Sequence, residues 1–163
     1  MSAVDDLLQN NRRHADAFVD EGIPPRPSRQ LAVVACMDAR IDAYTVLGLR
    51  LGEAHVIRNA GGIVTEDVLR SLIVSQHVLG TREVMVIHHT ACGMRGTVDD
   101  ELQSAVERET GSRPPFGFGG FADLDESVRA DIRALRDCPY LPHRDAVRGF
   151  VYDVATGALR EVS

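Results

Sequence analysis

Apolar positions along this chain follow two rhythms, helical and strand-like, in alternation. Residues 3–20 place Val4, Leu7, Leu8, Ala15 and Phe18 roughly on one helical face. Gly22 and the prolines at 24, 25 and 27 end that helix and make a stiff connection. Leu31–Ala35 is a short apolar, partly β-branched run, the pattern of a strand buried on both faces. A weaker strand over His55–Arg58 leads into Asn59-Ala60-Gly61-Gly62. Thr65 is a helix cap, Glu66 and Asp67 suit the helix dipole, and Val68, Leu69, Leu72, Ile73, Gln76 and Leu79 line one side. Gly80 stops that helix, and Val84–Ile87 forms the next strand. Thr97 is expected to cap a further helix, with Val98, Leu102, Ala105 and Val106 on one face. Residues 111–120, GSRPPFGFGG, hold no regular structure. A helix with Leu124, Val128, Ile132 and Leu135 ends before Pro139, and the tail reads as a hairpin, Gly149–Val154 and Ala158–Val162 about Ala155-Thr156-Gly157.

Strands alternating with helices predict an α/β fold: a mostly parallel central sheet flanked by helices, with an antiparallel edge from the hairpin. With neither an internal repeat nor a second domain, residues 1–163 are expected to form one domain, 1–27 being a helical arm and its Pro-rich connection. Hydrophobic content of 44% and charged content of 26% are ordinary for a globular chain. A net charge of -6 argues against nucleic-acid or anionic-membrane partners. The apolar runs fall far short of a bilayer span, and Asp5 and Asp6 stand where a signal peptide would be basic. Three cysteines, an odd number, do not make a disulfide framework, so a reducing compartment, the cytoplasm, is expected.

The chemistry collects at two strand ends. The first strand runs into C-M-D-A-R, and the third closes on H-H-T-A-C-G. In open α/β sheets functional groups gather beyond the carboxyl ends of strands, and successive parallel strands are usually neighbours. If the backbone stays extended, Cys36, Asp38 and Arg40 project to one side. With His89 and Cys92 they offer two thiolates, an imidazole and a carboxylate, a set that suits zinc. Cys92-Gly93 is expected near a helix start, whose dipole would favour the thiolate. Taken singly, Cys36 and Cys92 read as small core residues and His89 as a hydrogen-bonded histidine. That account explains less well why Asp38 and Arg40, a carboxylate and its matching fork, follow Cys36 in the same alternation; the pair could be purely structural, but beside three metal-type ligands it favours function. His88 points away from His89 and reads as core or as support for the site. Cys138 has no partner motif.

C-x-D-x-R on the first strand and H-x-x-C-G on the third resemble the β-class carbonic anhydrases. So do R-N-A-G-G with its following helix and the terminal F-V-Y-D-V-A-T-G-A-L. The likeness runs from about Leu31 to Glu109 and from about Val147 to Leu159. It implies one zinc per chain held by Cys36, His89 and Cys92, with Asp38 and Arg40 as the family's catalytic dyad. It implies strand order 2-1-3-4 plus an antiparallel edge strand 5. It also implies a homodimer, or a dimer of dimers, with the arm packed on the partner. The activity implied is reversible hydration of CO2 to bicarbonate by a zinc-bound hydroxide. Several positions depart from the commoner family pattern. His88 stands where many members have glycine, and the loop at 111–120 is this chain's own. The chain holds no tryptophan, so the tryptophan-containing bicarbonate pocket of some bacterial members is not expected, although Arg58 matches its arginine. Two other readings stand beside this one. A carbonyl sulfide or carbon disulfide hydrolase would use the same scaffold. A non-catalytic zinc-stabilised module would normally close its metal with a fourth Cys or His, and none is offered.

Overall fold

The computed structural model describes residues 2–163. Five strands form one sheet: β1 (Leu31–Cys36), β2 (Ala54–Asn59), β3 (Glu83–His89), β4 (Val147–Tyr152) and β5 (Leu159–Val162). Their order is β2-β1-β3-β4-β5, and every pairing is parallel except β4 with β5. Both the order and the antiparallel edge match the expectation. β1 lies at the centre of the crossovers, and its residues Ala32–Cys36 are all buried. That burial is why its sequence is a continuous apolar run with no alternation.

The helices are α1 (Ala3–Ala17), α2 (Ala43–Leu47), α3 (Glu66–His77), α4 (Asp99–Thr110) and α5 (Leu124–Asp137). α3 and α5 pack on one face of the sheet, where Val68, Leu72, Val128, Ile132 and Leu135 meet Ala32, Val34, Val84 and Val86. The other face is more thinly covered. There Val33, Ala35 and Ile87 are buried under half-buried Leu47, Leu49, Phe150 and Tyr152, from the short α2, its following loop and β4. α1 buries none of its residues, and Val4, Leu7 and Leu8 are 64%, 65% and 51% exposed. None of the described helices is long and apolar enough to cross a membrane.

Local departures from the sequence reading have local causes. α1 stops at Ala17, short of residue 20, and begins on a capping box in which Ser2 and Asp5 exchange hydrogen bonds. α2 was not anticipated; Asp42 caps it, and left-handed Gly48 ends it within two turns. Thr97 does not cap α4. Its hydroxyl donates to the Gly93 carbonyl at 3.1 Å, and Val98 occupies the cap position without a side-chain bond. The first strand of the hairpin is displaced by two residues, while the second starts one residue late, at Leu159, and ends at Val162 as expected. β4 starts at Val147 and ends at Tyr152, because the Asp153 carboxylate accepts from Ala155 N–H (2.8 Å) and draws 153–158 into the turn. Residues 111–120 lack regular structure as expected, yet they are tied down. The Asp99 carboxylate accepts from the N–H groups of Phe118, Gly119 and Gly120, and Gln103 donates to the Phe116 carbonyl at 2.8 Å.

Candidate metal centre

β1 and β3 are neighbours in register, Ala35 opposite Ile87, so their carboxyl ends deliver Cys36 and His89 side by side. Cys92 arrives through the turn after β3, where Ala91 adopts a left-handed φ of 53°. That turn is pinned to β4: Thr90 N–H donates to the Tyr152 carbonyl (2.9 Å), and Thr90 Oγ1 accepts from Val154 N–H (3.1 Å). The two Sγ atoms and the imidazole all lie within 4.8 Å of one another, and all three residues are buried.

The protonation chemistry fits a cation. His89 Nδ1–H donates to the Thr90 carbonyl at 2.9 Å, which leaves the Nε2 lone pair facing the thiols. Nε2 is buried and has no hydrogen-bond partner among the described residues. Such an orphan is costly unless something accepts its electron pair. Burial pushes the His89 imidazole below its ordinary value, favouring the neutral form that ligates metals. Burial, and then Cys36 beside it, pushes the Cys92 thiol up. No helix dipole relieves it, since α4 begins only at Asp99, contrary to the expected helix start at Cys92-Gly93. Two sulfurs and one imidazole are a donor set that would suit zinc.

Asp38 and Arg40 reach this cluster by a route other than strand alternation. β1 ends at Cys36, and the chain turns back, with Arg40 N–H donating to Asp38 Oδ1 (2.9 Å) and Ile41 N–H to the Asp38 carbonyl (3.0 Å). The guanidinium then grips the carboxylate twice, Nε to Oδ1 at 2.9 Å and Nη2 to Oδ2 at 2.7 Å. Arg40 also donates to the Ala91 carbonyl at 3.0 Å, tying the pair to the residue before Cys92. Asp38 Oδ2 lies 3.8 Å from His89 Nε2. Arg40's hydrogen bonds hold the Asp38 carboxyl well below the usual carboxylate range.

Two supports escaped the sequence reading. Arg58, noted there only for its match to a bicarbonate-pocket arginine, donates to the carbonyls of Cys36 (2.9 Å) and Asp38 (2.7 Å) and so fixes the end of β1. Gly62 supplies the reason for the R-N-A-G-G segment. It has φ +71°, and a Cβ there would lie 2.7 Å from Cys36 N and 3.0 Å from the Ile87 carbonyl oxygen, so only glycine fits between the two strands. His88 points away from the site, fully buried, with Nε2 2.8 Å from the carboxylate of Asp131. Cys138 belongs to the core beneath α3 and α5 and takes no part in the cluster.

An open α/β sheet with a Cys, His, Cys donor set beyond its strand ends, and a carboxylate–guanidinium pair at its rim, defines a class of metal-site protein. Within that class the chain belongs to the β-class carbonic anhydrases, an enzyme family: the family profile described as carbonic anhydrase matches residues 31–112. Beta-carbonic anhydrase 1 of Mycobacterium tuberculosis (strain ATCC 25618 / H37Rv) is 48% identical over 163 residues, 100% of this chain and 99% of the relative. A crystal structure of carbonic anhydrase from Streptococcus mutans superimposes with a TM-score of 0.93 at 40% identity, covering 100% of this chain and 99% of that one. A carbon disulfide hydrolase of Acidithiobacillus thiooxidans is 33% identical over 159 residues, 85% of this chain and 79% of the relative.

Proposed function

We propose that this protein catalyses the reversible hydration of CO2 to bicarbonate, with one zinc held by Cys36, His89 and Cys92. The observation that carries the reading is the buried, unpartnered Nε2 of His89 converging on two thiols, with the Asp38–Arg40 pair beside it. Zinc held there would supply a nucleophile for CO2 near neutral pH by making water more acidic, to a pKa of about 7. The chain's own residues do the rest. Arg40's hydrogen bonds hold the Asp38 carboxyl below the usual carboxylate range, so near neutral pH it would accept a hydrogen bond from the nucleophile's proton and turn a lone pair toward CO2. Arg40 occupies both Asp38 oxygens and keeps the carboxylate from swinging into the donor cluster. Ile41, Met94, Phe121 and Tyr152 pack around Cys36 and Cys92 and give a small apolar substrate a water-poor approach.

The 33% identity to a carbon disulfide hydrolase supports a second reading, hydrolysis of a linear apolar sulfide at the same centre. Stopped-flow CO2 hydration and carbon disulfide hydrolysis, measured side by side on one preparation, separate the two. Hydration should dominate by orders of magnitude; the reverse ranking would hand the site to the sulfide. Metal analysis should find about one zinc per chain, as one donor set permits. Cys92→Ala should lose the zinc while Cys138→Ala keeps it, and zinc retained in Cys92→Ala would sink the ligand assignment.

The exposed apolar face of α1 supports a symmetric homodimer, or a dimer of dimers, with this arm lying on the partner. Residues 1–163 then make one domain plus its arm. Three unpaired thiols and a thiol-dependent centre favour the cytoplasm, where they stay reduced.

A further inference from the structure

Helix α5 faces the sheet with Val128, Ile132 and Leu135, and on that same buried side it carries Asp131, 7% exposed. A carboxylate among aliphatic side chains is costly unless each oxygen finds a donor. Asp131 has one for each, from different parts of the chain. Oδ1 accepts from Val64 N–H at 2.9 Å, and Oδ2 is 2.8 Å from His88 Nε2. His88 is fully buried, and its Nδ1 has no partner among the described residues, so the bond to Asp131 is the ring's one hydrogen bond. With a carboxylate oxygen as acceptor, Nε2 is the donor.

Each of these two segments leads directly to the donor cluster. His88 precedes His89 in β3, and successive strand residues point to opposite faces, so holding the His88 ring from beneath fixes the backbone that presents His89 above. Val64 follows the turn in which Gly62 is wedged against Cys36 N and the Ile87 carbonyl oxygen. Its tie to Asp131 keeps that wedge in place. The His88 ring also lies 5.7 Å, centroid to centroid, from Phe121, which packs on the cluster of Cys36, Ile41 and Cys92. One carboxylate thus clamps the β3 end that carries His89 and the turn that backs Cys36.

We propose that Asp131, acting through His88 and Val64, is a positioning residue for the metal centre. It sets the separation of the Cys36 and His89 donors, and through it the affinity and coordination geometry of the bound metal. The proposal rests on the reading of Cys36, His89 and Cys92 as metal ligands. Groups that orient ligands from behind commonly change metal affinity by about 10- to 100-fold when removed.

The test uses the full chain and two probes, zinc in chelator competition and cobalt(II) by its visible absorption, whose bands report coordination geometry. Asp131→Leu removes both bonds and should weaken zinc binding by about 10- to 100-fold, with shifted, weaker cobalt bands. Asp131→Asn keeps an acceptor for Val64 and His88→Gln spares the Val64 bond, so each should give a smaller change in the same direction. These two carry the test should Asp131→Leu fail to fold. Ile132→Val, on the same helix and in the same core, is the control: it should lower stability and leave zinc affinity and the cobalt spectrum unchanged. Folded Asp131→Asn and His88→Gln proteins with wild-type affinity and spectrum overturn the positioning role. So does an equal loss in Ile132→Val, which would mark general loosening. A wild-type chain that takes up neither metal overturns instead the ligand assignment beneath it.

Discussion

At the scale of single residues, Asp38 and Gly62 show how tightly the rim of the site is specified. Asp38 is only 18% exposed at its side chain, and its carboxyl lies well below the usual range because Arg40 donates to both oxygens. A carboxyl whose folded pKa is depressed contributes stability at pH above its unfolded value of about 3.9, and that contribution is lost as pH falls through the folded value. In an NMR titration the Asp38 carboxyl should therefore remain ionised well into acid in the wild type. In Arg40→Ala it should titrate near the ordinary value of about 3.9, and a curve unmoved by that substitution would show that Arg40 does not hold it. Gly62 and Gly80 separate backbone strain from close approach. Both have left-handed φ, +71° and +76°, but a Cβ at Gly80 meets nothing within 4 Å. Gly80→Ala should cost roughly 1–2 kcal/mol, the price of the left-handed conformation alone. Gly62→Ala should cost clearly more in urea denaturation, because the added carbon must displace the Cys36 backbone, and should also reduce metal content if Cys36 is a ligand as proposed. Equal losses in the two variants would remove Gly62 from the account of the site.

Helices and strands obey their sequence signals where a short-range bond dictates the outcome and depart from them where packing competes. Asp123 accepts from Glu126 N–H at 2.8 Å and caps α5, whereas Thr97, which has the right residue type for a cap, spends its hydroxyl on Gly93. Urea denaturation should therefore show Asp123→Ala about 1 kcal/mol less stable than the wild type. Thr97→Ala removes a bond to the Gly93 carbonyl that lies outside α4, so hydrogen-exchange protection of the α4 amides should stay unchanged. Loss of that protection in Thr97→Ala would restore it as the cap. α4 has apolar positions at helical spacing but buries none of them fully, so periodicity located the helix without locating a core for it. α2 is too short for any periodicity to emerge, and only its cap residues Asp42 and Gly48 mark it in the sequence.

Across the whole molecule, apolar surface is unevenly spent. One face of the sheet is closed by α3 and α5, while the other keeps half-buried residues at Leu31, Val56, Met85 and Phe150, and α1 covers none of them. Exposed apolar residues on an arm with no partner in its own chain are expected to pair with a second copy. Light scattering should give a dimer or a dimer of dimers. Leu7→Asp with Leu8→Asp should shift it toward monomer and reduce CO2 hydration in proportion. A wild-type monomer with full activity at assay concentration would refute this assembly.

What the sequence determined alone was everything carried by short range and by residue chemistry. Hydrophobic patterning located all five strands and four of the five helices, because burial on one face leaves a period in the chain and burial on both leaves a continuous apolar run. C-x-D-x-R and H-x-x-C-G marked the side chains that the fold brings together, Cys36, His89 and Cys92 with Asp38 beside them, because two motifs at the ends of neighbouring strands say more than any one thiol or imidazole alone. Only the tertiary structure decided what sits behind them. Asp38 meets Arg40 through a turn and not through strand alternation, and Arg58 serves two backbone carbonyls. His88 finds Asp131 43 residues away on α5. Asp131 carries no motif, and its helix reads equally well with the carboxylate in solvent. Which side of a helix faces the core at its margin, and which distant backbone N–H it then meets, is set by how helix and sheet pack together, a relation no local stretch of sequence contains.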